Sequence, residues 1–370
     1  MTDFSALSRR VAFGQNPAQA VLSDDDGSLG IDQKVYRWRQ LQAASYGMTP
    51  ELFDLTQLPG VTDVVINGLE VWLDRGNGME RSEWAPANIR ECEELARKIA
   101  AAGGKRLDEA SPLVDAIVGT NMRFHAVLPP LAQNGPAISL RILRSSRFSL
   151  EDLETHSTVS PDIGSLLRYL VDRGGNMLIS GATGAGKTTL LDALLSLVPE
   201  DERIICIEEV SELAPTHPHV IHLQERRPNV EGMGAVSLSD LVRAALRMRP
   251  NWIVLGECRG VEVVDVLSAL NTGHKGFATI HANNVHDVPA RLAALGAKAG
   301  LGSEALGLQT AAAFDVVLHM RRSGAQRELA EVGVLSTHGG QCEPALVRRG
   351  MEMVSDVGYD RLCEVTGWNP

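Results

Sequence analysis

The run Gly181-Ala182-Thr183-Gly184-Ala185-Gly186-Lys187-Thr188 fits the spacing GxxxxGK[ST] throughout. Glycines at these positions let backbone N–H groups close around phosphate oxygens, and Lys187 is the ammonium that would reach the β and γ phosphates of a nucleoside triphosphate such as ATP. The Thr188 hydroxyl suits Mg²⁺, and Thr189 leads into a helix-like run. A strand-like stretch, Asn176 to Ser180, precedes the loop. This strand-to-helix setting disfavours the competing reading, a glycine-rich structural turn.

Further along, the apolar run of NWIVLGE ends at Gly256 and delivers Glu257 to the carboxyl edge of a sheet, where ligands of such sheets bind. Alone it could be a solvated strand end; after a phosphate loop it resembles a Walker B strand. RIICIEEVSEL likewise presents Glu208 and Glu209 at a strand end, with Glu212 close behind, and grouped carboxylates suit Mg²⁺ or water activation. In NTGHKGFATIHANN, His274 and His281 bracket a short apolar strand, and an imidazole near the γ phosphate can donate to it or sense its loss. A structural histidine at a strand end is the plainer alternative.

These groups need a frame. After Pro161 the chain alternates apolar strand-length runs (MLIS, RIICIE, WIVLGE, GFATIHA, FDVVLHM) with helical segments, the pattern of an α/β sheet. Before it, VTDVVING, EVWLD, MRFHAVLP and AISLRIL read as strands around a helix whose apolar positions Ile89, Cys92, Leu95, Ala96 and Ile99 recur at helical steps, which predicts a small α+β domain. The boundaries follow: a mobile lead-in over 1–50 containing Asp24-Asp25-Asp26, an α+β domain over 51–143, a Ser- and Thr-rich linker over 144–162, and an α/β domain over 163–370.

Composition narrows the function classes. With 35 basic against 46 acidic residues the net charge is −11, so a general nucleic-acid coat is not expected. Five scattered cysteines, never spaced as CxxC, argue against a disulfide framework or zinc ribbon and for a reducing compartment. The N-terminus shows no signal-peptide core, and no run of about 18 apolar residues occurs, so any membrane role is expected to be peripheral.

Taken in order, GATGAGKTT, IEEVSEL, RMRPNWIVLGECRG and NTGHKGFATIHANN resemble the Walker A loop, Asp box, atypical Walker B and His box of the bacterial type II/IV secretion and pilus-assembly ATPases, and are most similar to the Tad/Flp pilus branch. VTDVVING, RLDEASPLVDA and HAVLPPLAQNGPAISLRI extend the resemblance into the N-terminal domain. Glu209 stands where the family usually has Asp, Cys258 where Val is common and Lys275 where Asp is common. The resemblance implies a RecA-like P-loop ATPase domain preceded by a smaller α+β, sensor-like domain, in a cytoplasmic homohexamer on the inner face of the membrane, docked to a platform protein, with ATP and Mg²⁺ as cofactors; the acidic balance and the lack of a basic stripe make direct nucleic-acid contact not expected. It also implies that Glu208 orients or activates water, that Glu257, with Thr188 and Glu209, serves Mg²⁺, that His274 and His281 lie near the nucleotide, and that Arg123 and Arg141, with Arg144 as a weaker third, complete the site. Conjugation or DNA translocation, and a nucleotide-gated scaffold with little turnover, are the alternatives. His217, His219 and His222 invite a metal, but the same stretch starts a plain strand in the family. Cys258 reads as an apolar filler. Arg141, Arg144 and Arg147 form a basic cluster by the linker.

Overall fold

The computed structural model describes residues 31–369 apart from positions 77, 120, 143–147, 227, 229–232, 325, 337–339 and 351. The acidic run Asp24–Asp26, Arg144 and Arg147 therefore lie outside the described residues. The chain divides into two compact units between Arg144 and Ser145.

The first unit is built on six strands: β1 (Asp63–Asn67), β2 (Glu70–Asp74), β3 (Met79–Arg81), β4 (Leu113–Val118), β5 (Met122–Val127) and β6 (Ala137–Ile142). They pair antiparallel in the order β3-β2-β1-β6-β5-β4. One face is covered by the helix Ile89–Ala102, whose Asn88 side chain caps the Glu91 N–H and whose Cys92, Leu95, Ala96, Ile99 and Ala100 are buried. These meet Val64, Ile66, Phe124, Ile138 and Leu140 in one core, as the alternation along the strands requires. The α+β expectation holds. The lead-in does not extend as far as expected, because Ile31–Ser45 is helical and Leu41, Ala43 and Met48 are buried.

The second unit carries nine strands: β7 (Met177–Gly181), β8 (Ile204–Glu208), β9 (Val220–Gln224), β10 (Trp252–Leu255), β11 (Lys275–Ile280), β12 (Val316–Ser323), β13 (Gln326–Leu335), β14 (Cys342–Arg349) and β15 (Glu352–Ser355). Their order is β15-β14-β13-β12-β7-β11-β10-β8-β9, parallel from β9 to β12 and antiparallel beyond. Every residue of β7, β8 and β10 is buried, which explains their unbroken apolar sequences. Two apolar layers flank the sheet, one centred on Leu166, Leu190 and Trp252, the other on Val242, Val266 and Leu292.

Much of the stretch expected as linker belongs to this unit. Ser149 and Asp152 form a capping box that starts the helix Leu150–Thr155, and Leu150, Leu153 and Val159 join the core. A polar composition disguised a helix start.

Candidate functional site

β7 runs between β11 and β12 and releases Gly181 at the carboxyl edge of the parallel strands. A Cβ on Gly181 would lie 2.4 Å from the Met320 carbonyl oxygen, so only glycine lets the loop leave the strand here. Ala185 N–H donates to the Ala182 carbonyl at 3.2 Å, closing a turn, and Gly186, at φ +97°, caps the helix Lys187–Leu195. The first N–H groups of that helix have no intrahelical acceptors and form the positive end of its dipole. Thr183 and Gly184 are exposed, and Thr188 and Thr189 are half-buried in the first helical turn.

Lys187 is buried, with Nζ donating to the carbonyls of Gly181 (2.9 Å) and Ala182 (3.1 Å). It lies 3.5 Å from His281 Nδ1 at the end of β11. His281 Nε2 lies 2.9 Å from Glu257 Oε1. This arrangement suits a neutral imidazole with its proton on Nε2, donating to the carboxylate and accepting from the ammonium. Burial, then the Lys187 charge, holds the His281 pKa below its usual value, and burial does the same to Lys187 against the pull of Glu257.

Past β10, Arg259 grips Glu257 with two N–H groups, Nε to Oε1 at 2.6 Å and Nη2 to Oε2 at 2.9 Å. Its third nitrogen reaches Glu209 Oε2 at 2.9 Å. The hydrogen bond to Glu257 raises the guanidinium pKa further. Glu208, the last residue of β8, is buried; Oε1 accepts from the N–H groups of Glu212 (2.8 Å) and Leu213 (2.9 Å). Its Oε2 has no hydrogen-bond partner among the described residues, and His222 Nδ1 stands 3.8 Å away. An unpartnered buried carboxylate oxygen at this edge is an acceptor waiting for a donor such as water.

The fold thus brings Gly181 through Thr189, Glu208, Glu209, Glu257 and His281 to one edge. His274 is not with them. It precedes β11, at the opposite edge of the sheet, roughly 20 Å of strand away from His281. Its Nδ1 lies 3.2 Å from the Ala269 carbonyl, a local structural contact that corrects the expectation of a nucleotide-side role within the chain. His217 and His219 are also engaged locally, by the Pro199 carbonyl and Arg203, and among the described residues no cluster could hold a metal through three such side chains. Cys258 is buried and its thiol pKa is raised by burial, as for an inert filler.

Arg123 and Arg141 lie in the first unit as direct cross-strand neighbours on β5 and β6. Arg141 Nε donates to Asp63 at 2.9 Å, and Arg123 stands 4.0 Å from Asp115. Like charges placed opposite one another repel, and these two carboxylates offset that repulsion.

Residues outside the motifs also touch the loop. His319 on β12 holds Ser180 Oγ through Nδ1 at 3.0 Å, and Arg327 on β13 donates to the Gly184 carbonyl at 3.0 Å. No local spacing ties Arg327 to a loop more than 140 positions earlier; only strand pairing does.

The Type II/IV secretion system protein family matches residues 91–353. A Mycobacterium tuberculosis protein named "Putative conjugal transfer protein" is 47% identical over 337 residues, covering 89% of this chain and 96% of its own. The type IV secretion system protein PtlH of Bordetella pertussis is 34% identical over 238 residues, covering 58% of this chain and 70% of its own. Among solved structures, the Legionella pneumophila ATPase DotB superposes with a TM-score of 0.55 at 19% identity, over 86% of this chain and 85% of that one. At that identity the likeness speaks for the fold alone.

Proposed function

The chain belongs to the Type II/IV secretion system protein family, and from that premise we propose that it is an ATP-hydrolysing motor that powers pilus assembly or protein export. The convergence of Lys187, His281, Glu257 and Glu208 on one sheet edge carries this reading. The glycine cradle, the free helix N-terminus and the orphan Glu208 oxygen suit a nucleotide with its metal. Thr188 and Glu257, with Glu209 alongside, would hold Mg²⁺, which supplies charge neutralisation on the phosphate oxygens.

The chain's own groups then have separate tasks. Lys187 faces the β and γ phosphates, where its charge counts most in the transition state. Glu208 Oε2 would accept a hydrogen bond from the attacking water and take its proton as the water oxygen bonds to phosphorus and the ADP oxygen leaves, while Oε1 stays fixed by two backbone donors. His281, neutral and oriented by Glu257, is placed to follow the γ phosphate through Lys187. Arg123 and Arg141, two guanidiniums on one sheet face, suit anion binding and would complete the site in a homohexamer, in cis or across a subunit boundary. A peripheral position at the inner face of the cytoplasmic membrane, on a platform protein, completes the proposal; among the described residues no helix is long and apolar enough to cross a membrane.

A conjugation role is the second reading, favoured by the names of relatives, the Mycobacterium tuberculosis protein above and the conjugal transfer protein TrbB of Rhizobium radiobacter, 32% identical over 216 residues. Phosphate release with and without added DNA separates the two. The export reading expects Mg²⁺-dependent, ATP-selective turnover indifferent to DNA. Turnover stimulated severalfold by DNA supports translocation, and none under any condition leaves a scaffold.

A further inference from the structure

The paired strands β12 and β13 bring Arg322 and Arg327 beside the phosphate loop. Arg327 Nε donates to the Gly184 carbonyl at 3.0 Å, and its stem lies against Gly186, where an added Cβ would come within 3.1 Å of Cδ. Arg322, its cross-strand partner, places Nη1 3.6 Å from where a Gly184 Cβ would stand. The neighbouring Arg321 pairs with Glu328 at 2.7 Å, whereas Arg327 has no carboxylate within 4.0 Å among the described residues.

The peptide joining Gly184 to Ala185 is consequently held at both ends. Its oxygen takes the Arg327 N–H, while its N–H, which points the opposite way in a trans peptide, donates to the Ala182 carbonyl. Glycine-rich loops lose more conformational freedom on ordering than any others, so a ligand that must order such a loop binds weakly.

We propose that Arg327 is a positioning residue for the nucleotide phosphates: it fixes the Gly184 peptide, holds the loop in its phosphate-receiving shape, and adds a positive charge beside it. The proposal rests on the nucleotide reading above. Arg327 acts through the loop and does not touch the reacting atoms. It is exposed, so its replacement spares the core.

The test is ADP titration and steady-state ATP turnover of the full chain carrying Arg327→Ala or Arg327→Lys. Losing a charged hydrogen bond to the loop should weaken ADP binding and raise KM together by about tenfold or more. Loss of binding shared by ground and transition states leaves kcat within about threefold of wild type. The unliganded melting midpoint should not move. Lysine, which keeps the charge and one donor, should recover part of the affinity. Unchanged ADP affinity in Arg327→Ala, a fall in kcat with KM unmoved, or a lysine variant no better than alanine would each overturn the proposal. If the wild-type chain itself fails to bind ADP, the nucleotide reading has failed instead.

Discussion

At the scale of single residues, charge balance decides the behaviour of the site. Lys187, His281, Glu257, Arg259 and Glu209 form one chain of contacts in which cations and carboxylates alternate around a neutral imidazole. Glu208 stands apart, buried and half-satisfied. Glu208→Gln keeps the shape but gives up the base, so it should bind ATP while turnover falls about a hundredfold or more; normal turnover in this variant with ATP trapped by Glu257→Gln would reverse the two roles. Acid sensitivity follows from the histidines. His281 and His319 are both held below the usual imidazole value of 6.5, mainly by burial. The unfolded chain therefore binds protons more readily than the folded one. The stability this lends is complete above that value and declines as pH falls through it, by no more than about 1.4 kcal/mol per pH unit for each group, less for the more exposed His281. Melting midpoints taken between about pH 7.5 and about pH 5.5 should show the decline. His319→Asn, which retains a partner for Ser180 Oγ, should flatten it; a wild-type midpoint independent of pH over this range would refute the assignment.

At the scale of elements, the hairpin of β12 and β13 ties the phosphate loop to the start of the second unit. Glu328 on β13 accepts from Arg321 and lies 3.4 Å from Arg348, whose side chain is 4% exposed and also donates to the Ser157 (2.9 Å) and Thr158 (3.3 Å) carbonyls. Glu328→Ala should cost about 3 kcal/mol in chemical denaturation, because it leaves the buried guanidinium charge uncompensated. Glu328→Gln, still an acceptor, should cost less, and an alanine variant as stable as wild type would show that the carbonyls suffice. This hairpin was invisible in the sequence, since its arginines reach the loop through strand pairing. By contrast the loop, the two acidic strand ends and His281 were legible, because parallel strands deliver their last residues to a common edge. The same rule separates His274 from His281: a strand's two ends cannot share an edge, so bracketing an apolar run was the wrong signal for a shared site. The helix Leu150–Thr155 was readable from Ser149 and Asp152 at capping-box spacing with Leu150 and Leu153 behind, but a wealth of Ser and Thr hid it.

At the scale of the whole molecule, the candidate arginines belong to the first unit and the loop to the second, and assembly matters if those arginines act across a subunit boundary. If Arg141 acts on a neighbouring copy's nucleotide, mixing inactive Arg141→Ala chains with inactive Lys187→Ala chains should restore part of the turnover, since some interfaces join an intact loop to an intact arginine. Mixed rings with no recovery would exclude action across the boundary, and full activity of both Arg123→Ala and Arg141→Ala alone would limit these side chains to pairing with Asp115 and Asp63. We propose that the glycine loop and Lys187 form the working site of an ATPase. Steady-state phosphate release from ATP and Mg²⁺, measured for the wild-type chain and Lys187→Ala side by side, tests it most directly. The wild type should release phosphate and the variant should fall at least about a hundredfold with its fold retained; a variant keeping more than about a tenth of wild-type release would contradict the account.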